Sequence, residues 1–260
     1  MTTRKDLLMT HSLSLILATM AALALALPGD VLRAETVGDS IARALAHPDR
    51  PEGESSDDAA RQPAEVLRFA GLQQGMAVLE LEASSGWYTE ILSRAVGESG
   101  RVVMQNPPAF ESFTGDKDNL RADRLANVTL STTNFDALEP ADASIDLVTW
   151  ILGPHELWFA PGGQSLGNPD KAMSEIARVL KPGGRFLAID HQASAEAGPE
   201  TGGSLHRIHS QLIQDMATAA GLRLIDTSDL FANENDPLTN SAFDPSIRGQ
   251  TEKFVLLMQK

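Results

Sequence analysis

Three histidines and one glutamate carry the side-chain chemistry that this sequence most readily supports. His155 and Glu156 stand together in Pro154-His155-Glu156-Leu157-Trp158, just after an apolar run at 145–152. His191 follows Asp190 at the end of a second such run, and His206 lies three residues before His209. Imidazole is the commonest general base near neutral pH, and a neighbouring carboxylate can orient it or take part in proton transfer. His155, Glu156, His191 and His206 are therefore the candidate catalytic set, with Trp158 as an aromatic wall for an acceptor; the alternative for His155 is a residue that caps a helix start. At a spacing of three, His206 and His209 are expected on one face of a helix. Imidazole and carboxylate also suit zinc and related ions. No metal is assigned, because His206 and His209 lack the HExxH arrangement and the adjacent His155 and Glu156 are expected to diverge.

Elements that hold such groups at one edge are legible along the chain. Ala77–Ile91, AVLELEASSGWYTEI, reads as strand, tight turn and helix. In doubly wound α/β folds such a first turn lets backbone approach a nucleotide-like ligand, with the free N–H groups of the helix start aimed at it. Further strands are expected at 101–104, 128–130, 145–152, 185–190, 222–225 and 253–258. Helices are expected between them, the clearest capped by Asn168 with Pro169 in its first turn and stopped by Lys181-Pro182-Gly183-Gly184. Another starts at Ser204 and runs to Gly221. Alternation of this kind implies a Rossmann-like α/β fold with a mostly parallel sheet covered on both faces.

Composition narrows the partners. The 260 residues carry a net charge of −14, which argues against nucleic acid or an anionic membrane as the main partner. With no cysteine there is no disulfide, no Cys-ligated zinc and no thiol catalysis. Arg4 and Lys5 precede an uncharged Leu/Ala-rich run at 12–27, followed by small residues up to Ala34. This pattern predicts a signal peptide over 1–34 and export to the periplasm, since the run is shorter than the roughly 20 apolar residues of a spanning helix. An N-terminal helical arm is expected over 35–75, its acidic run Glu52–Asp58 solvated, and the main domain over 76–260.

The words VLELEASSGWYTEILSRAVGESGRV (Val78–Val102) and EIARVLKPGGRFLAIDH (Glu175–His191) resemble the class I S-adenosylmethionine-dependent methyltransferases. WYTEIL, QNPP, the LHRIH stretch and the ending DPLTNSAFDPSIRGQTEKFVL are similar to a family of exported bacterial proteins described as predicted methyltransferases. The resemblance implies a seven-stranded sheet whose last strand is antiparallel, S-adenosylmethionine as cofactor and a small-molecule acceptor. Carried over residue by residue, Glu80 matches the acidic residue of the first turn and Gly86 its last glycine, while Glu82 and Ser84 stand where other glycines are usual. Glu82, Ala83, Ser84, Ser85, Gly86 and Tyr88 would follow the cofactor along that turn, with Ile151 beside them on strand four. Asn106 takes the position of the ribose-binding acid. Asn134, Phe135 and Asp136 take that of the adenine reader, where Asp136 can equally be a loop-capping carboxylate. Two further readings stand beside methyl transfer: a non-catalytic descendant that binds a different small molecule at the same sheet edge, and a metal-dependent hydrolase built on His155, Glu156, His191 and His206.

Overall fold

Ala77–Leu81 is buried at every position, which a strand achieves only inside a sheet covered on both faces. The computed structural model describes residues 37–260, so the expected signal peptide over 1–34 lies outside the described residues. The strands are β1 (Ala77–Leu81), β2 (Arg101–Gln105), β3 (Val128–Ser131), β4 (Ile145–Ile151), β5 (Leu180–His191), β6 (Arg223–Thr227) and β7 (Lys253–Gln259). The helices are α1 (Val37–Leu45), α2 (Asp58–Arg61), α3 (Pro63–Ala70), α4 (Trp87–Val96), α5 (Glu111–Thr114), α6 (Lys117–Arg124), α7 (Pro169–Val179), α8 (Thr201–Leu205) and α9 (Ser210–Ala219).

The strands form one sheet in the order β3-β2-β1-β4-β5-β7-β6. β7 is antiparallel to both neighbours and the other pairings are parallel. The chain therefore winds outward from β1 in one direction and from β4 in the other, which leaves a switch point between them where such sheets bind ligands. Two apolar layers seal the faces: Ile176 and Ile213 pack with Phe186 and Trp150 on one side, and Ile41, Leu67 and Ile91 with Val78 and Leu187 on the other. The Asn168 side chain accepts from the Lys171 N–H at 3.0 Å, the cap expected ahead of Pro169. Among the described residues, no helix is long and apolar enough to cross a membrane.

Two expectations need correction. The helix expected over 204–221 is broken, because His206 adopts a left-handed φ of 52° and Arg207 turns into the interior. The Arg207 side chain is fully buried, pairs with the buried Asp236 at 2.9 Å and donates to the Asn240 and Gln192 carbonyls. A guanidinium satisfied this completely outweighs one helical turn, so His206 and His209 lie on different elements. The acidic run Glu52–Asp58 is also structured: it holds a 3-10 turn at Glu54–Asp57 and the start of α2, with Asp58 bound to Arg50 at 2.6 and 2.7 Å and Glu54 to Arg121. The same pairing ties α6 to the arm, since Arg121 is 9% exposed and reaches both Glu54 and Glu90.

Candidate functional site

The turn after β1 keeps a glycine-like backbone without the glycines. Glu82 has φ 54°, Ser84 φ 53° and Gly86 φ 80°, all in the left-handed region that disfavours a Cβ by about 1–2 kcal/mol. Amides from the end of β2 hold it there. The Gln105 side chain accepts from the Glu82 N–H at 3.0 Å, and Asn106 accepts from the Ser84 N–H at 2.7 Å while donating to the Ser84 carbonyl at 2.9 Å. Arg121 Nε donates to the Ser85 carbonyl at 3.3 Å. The N–H groups of Ala83 and Gly86 are bonded to backbone carbonyls as well. The turn N–H groups of Glu82, Ala83, Ser84 and Gly86 are thus committed within the protein. Asn106, expected on a ribose, is 2% exposed and works as a latch on the turn.

Beside this turn, at the switch point, lies a cavity of about 430 Å³, within the usual range for small-molecule sites. Of the residues expected on a cofactor, Glu80, Glu82, Ala83, Ser84, Ser85, Tyr88 and Ile151 line it. Gly86 lies beneath Arg121 and Asn106 beneath the turn, and neither lines it. The ordered arm supplies one wall through Glu54, Asp57 and Arg61, and β7 supplies Lys253. The Arg61 guanidinium sits 4.6 Å from the Trp87 ring centroid, and the Tyr88 hydroxyl donates to the Arg61 carbonyl at 3.1 Å. Arg61 and Lys253 were invisible as site residues in the sequence, because only the fold brings the arm and the last strand to one place.

Asn134 and Asp136 line a different hollow, together with Trp158 and Asn168. Asp136 accepts from the Asn168 N–H at 3.1 Å, so the loop-capping role is the one it performs here. Phe135 is fully buried, 4.5 Å from the Trp150 ring centroid, as core and not as a pocket wall.

The predicted catalytic residues converge beyond Glu82. His155 is 4% exposed and doubly held by the fully buried Asp190: its main-chain N–H donates at 2.6 Å, and its Nδ1 lies 2.9 and 3.0 Å from the two carboxylate oxygens. His155 Nε2 is 3.1 Å from His206 Nδ1 and 3.3 Å from Glu156 Oε1. The expectation that His155 and Glu156 diverge is wrong, because a 3-10 turn over Pro154–Trp158 replaces the geometry that would separate them. His191 stands beside them, its ring centroid 6.3 Å from that of His155 and its N–H donating to Asp190 Oδ1 at 2.8 Å, but its Nδ1 is 2.7 Å from Thr251 Oγ1. None of these four residues lines the cavity; Glu82 lies between, its carboxylate accepting from Trp150 Nε1 at 3.2 Å. Asp190 and Trp150 were missed at sequence level. Their position at the ends of apolar runs on the ligand edge was the available signal.

Charge at the site follows from burial. Glu80 is 6% exposed and is pushed up to about 8 by burial, against the opposing Thr89 hydroxyl, which donates at 2.5 Å, and Arg121. Glu82 is driven well above the carboxylate range by burial of its carboxyl end and then by the charge of Glu156. Burial opposes charge on His155, but Asp190 and Glu156 prevail and raise it to about 10. Burial lowers His191 to about 4, and burial plus the charge of His155 lowers His206.

A family model described as a methyltransferase domain matches residues 72–222, more than half of the chain. The ubiquinone/menaquinone biosynthesis C-methyltransferase of Hydrogenovibrio crunogenus is 32% identical over 125 residues, covering 48% of this chain and 46% of the relative. That of Escherichia coli O1:K1 is 31% identical over 125 residues, with the same coverage of 48% and 46%. The chain thus spans about half the length of the curated relatives it matches. Among solved structures, a SAM-dependent methyltransferase from Aquifex aeolicus has a TM-score of 0.57 at 20% identity, covering 78% of this chain and 92% of that one. The [4+2]-cyclase SpnF has a TM-score of 0.56 at 17% identity, covering 87% and 97%. At these identities the structures show the shared fold alone.

Because folding raises Glu80 from 4.5 to about 8, its protonated form is the one the fold favours. The stabilisation is complete below pH 4.5 and is lost as pH rises through 8. Urea denaturation of the wild type against Glu80→Gln should show an extra loss of up to about 1.4 kcal/mol per pH unit across that window in the wild type alone. Parallel stability curves for the two proteins would show that Glu80 titrates as an ordinary carboxylate.

Proposed function

We propose that this chain, which belongs to the methyltransferase-domain family of S-adenosylmethionine-dependent enzymes, transfers a methyl group from that cofactor to a small acceptor at the carboxyl edge of the sheet. The observation that carries the reading is the cavity against Glu80–Ser85, where the backbone keeps left-handed conformations at Glu82, Ser84 and Gly86. The residues present fit the amino-acid end of the cofactor. Arg61 and Lys253 offer cations to a carboxylate, and burial favours the neutral form of the Glu80 and Glu82 carboxyls beside it. The adenosine end meets a closed latch, because Asn106 spends its amide on Ser84.

When bound, the cofactor supplies a methyl group already activated as part of a sulfonium. The chain has then to position the acceptor and exclude water more than to exchange protons. Arg61, Trp87 and the ordered arm wall the cavity on one side.

The Asn106 latch favours a second reading, a descendant of the family that binds a different zwitterion in the same cavity. The fold by itself does not choose between them. Calorimetric titration with S-adenosylhomocysteine should give at least micromolar affinity, weakened about tenfold or more by Lys253→Met through loss of a charged contact. No heat at millimolar ligand would remove methyl transfer and leave the second reading.

We also propose that the chain is one of the exported relatives. Support comes from Arg4, Lys5 and the apolar run at 12–27. Intact mass spectrometry of protein from its native host should find residues up to about Ala34 removed. Retention of Met1 in the soluble protein would contradict export.

A further inference from the structure

His155 Nε2, Glu156 Oε1 and His206 Nδ1 form a triangle with edges of 3.1, 3.3 and 3.9 Å. A tetrahedral ion at about 2.0–2.2 Å from its ligands spaces them roughly 3.3–3.6 Å apart. The three atoms therefore already stand near the separations that such an ion requires. Asp190 completes the pattern from outside. With His155 Nδ1–H donated to that carboxylate, an ion at the centre would displace the Nε2 proton and take that nitrogen as ligand, the outer carboxylate orienting the ring as one does for a metal-bound imidazole.

A separate observation comes from Glu156. The residue is 7% exposed, and its Oε2 is buried without a hydrogen-bond partner. A buried carboxylate oxygen left this way is costly, and a cation held by both oxygens of Glu156 would remove the deficit.

The backbone is also built to bring the ligands together. His206 holds its left-handed φ of 52° at the break between α8 and α9. Gly202 on α8 lies so close to the His155 carbonyl that a Cβ would stand 2.5 Å from it, so the helix can approach the His155 turn only with glycine there. Phe159 and Phe243 flank His206, with ring centroids 5.0 and 4.8 Å away.

We propose that His155, Glu156 and His206 bind a divalent transition-metal ion of the zinc type, with Asp190 orienting His155. Two imidazoles select against magnesium and calcium, which prefer oxygen ligands throughout. Three protein ligands leave one tetrahedral position for water or another oxygen donor. This assignment is independent of methyl transfer, because it concerns a cluster outside the cavity and is read by metal uptake.

The test uses the whole chain, produced without a histidine tag and stripped with a chelator. Zn²⁺ is titrated calorimetrically, and Co²⁺ is followed by its visible absorption. The expected result is about one equivalent bound, with a tetrahedral Co²⁺ spectrum that Zn²⁺ abolishes. His206→Ala and Glu156→Gln should each weaken Zn²⁺ binding by at least about 100-fold, whereas His47→Gln, on the arm, should leave it unchanged. Circular dichroism and thermal melting check that the variants fold, and His206, partly exposed, is the substitution most easily accommodated. Uptake below roughly 0.1 equivalent by the wild type at micromolar Zn²⁺ would overturn the assignment. Undiminished uptake in both folded ligand variants would overturn it equally.

Discussion

The site depends on one constraint, the left-handed turn that carries β1 into α4. Glu82 and Ser84 pay the conformational penalty of a Cβ at φ near +54° and +53°, and the amides of Gln105 and Asn106 fix them in it. Everything functional is positioned from this turn. It opens the cavity toward Arg61 and Lys253 on one side. On the other it sends the Glu82 carboxyl to Trp150, within electrostatic reach of His155 and Glu156. A conformation usually supplied by glycine is here supplied by hydrogen bonds from the neighbouring strand.

The arm and the ion pairs around Glu90 hold that arrangement shut. The Glu90 side chain is fully buried and receives Arg94, Arg121 and Arg124. Burial alone would raise its carboxyl, and the bonds from Arg121 and Arg94 hold it below the usual range instead. Arg121 continues to Glu54 on the arm and to the Ser85 carbonyl on the turn, so the arm, α4, α6 and the turn share one guanidinium. A network in which each buried charge has a partner orders a polar segment that would otherwise be a solvated loop.

Much of the fold was legible because it rests on local signals. The apolar runs at Ala77–Leu81 and Lys253–Gln259, the Asn168-Pro169 helix start and the alternation of elements all read directly from residue order. The errors came where distant residues decide. Nothing near Arg207 announces that Asp236 will draw it inward, so the helix break at His206 and the separation from His209 were hidden. Nothing in Glu52–Asp58 announces Arg121 or Arg50. At the site, the first turn and the ligand edge were readable from pattern. The latch made by Asn106, the cations from residues 61 and 253 and the convergence of His155 with Glu156 depend on tertiary placement and a 3-10 turn.

The central claim is that a cofactor lies along the Glu80–Ser85 turn beneath the arm. Amide hydrogen exchange with and without S-adenosylhomocysteine tests it most directly, because exchange reports where opening is suppressed. The account predicts slower exchange in peptides covering Glu54–Arg61 and Glu80–Tyr88, the segments that line the cavity. Protection confined to Asn134–Asp136 and Ser165–Asn168, around the separate hollow, would contradict it.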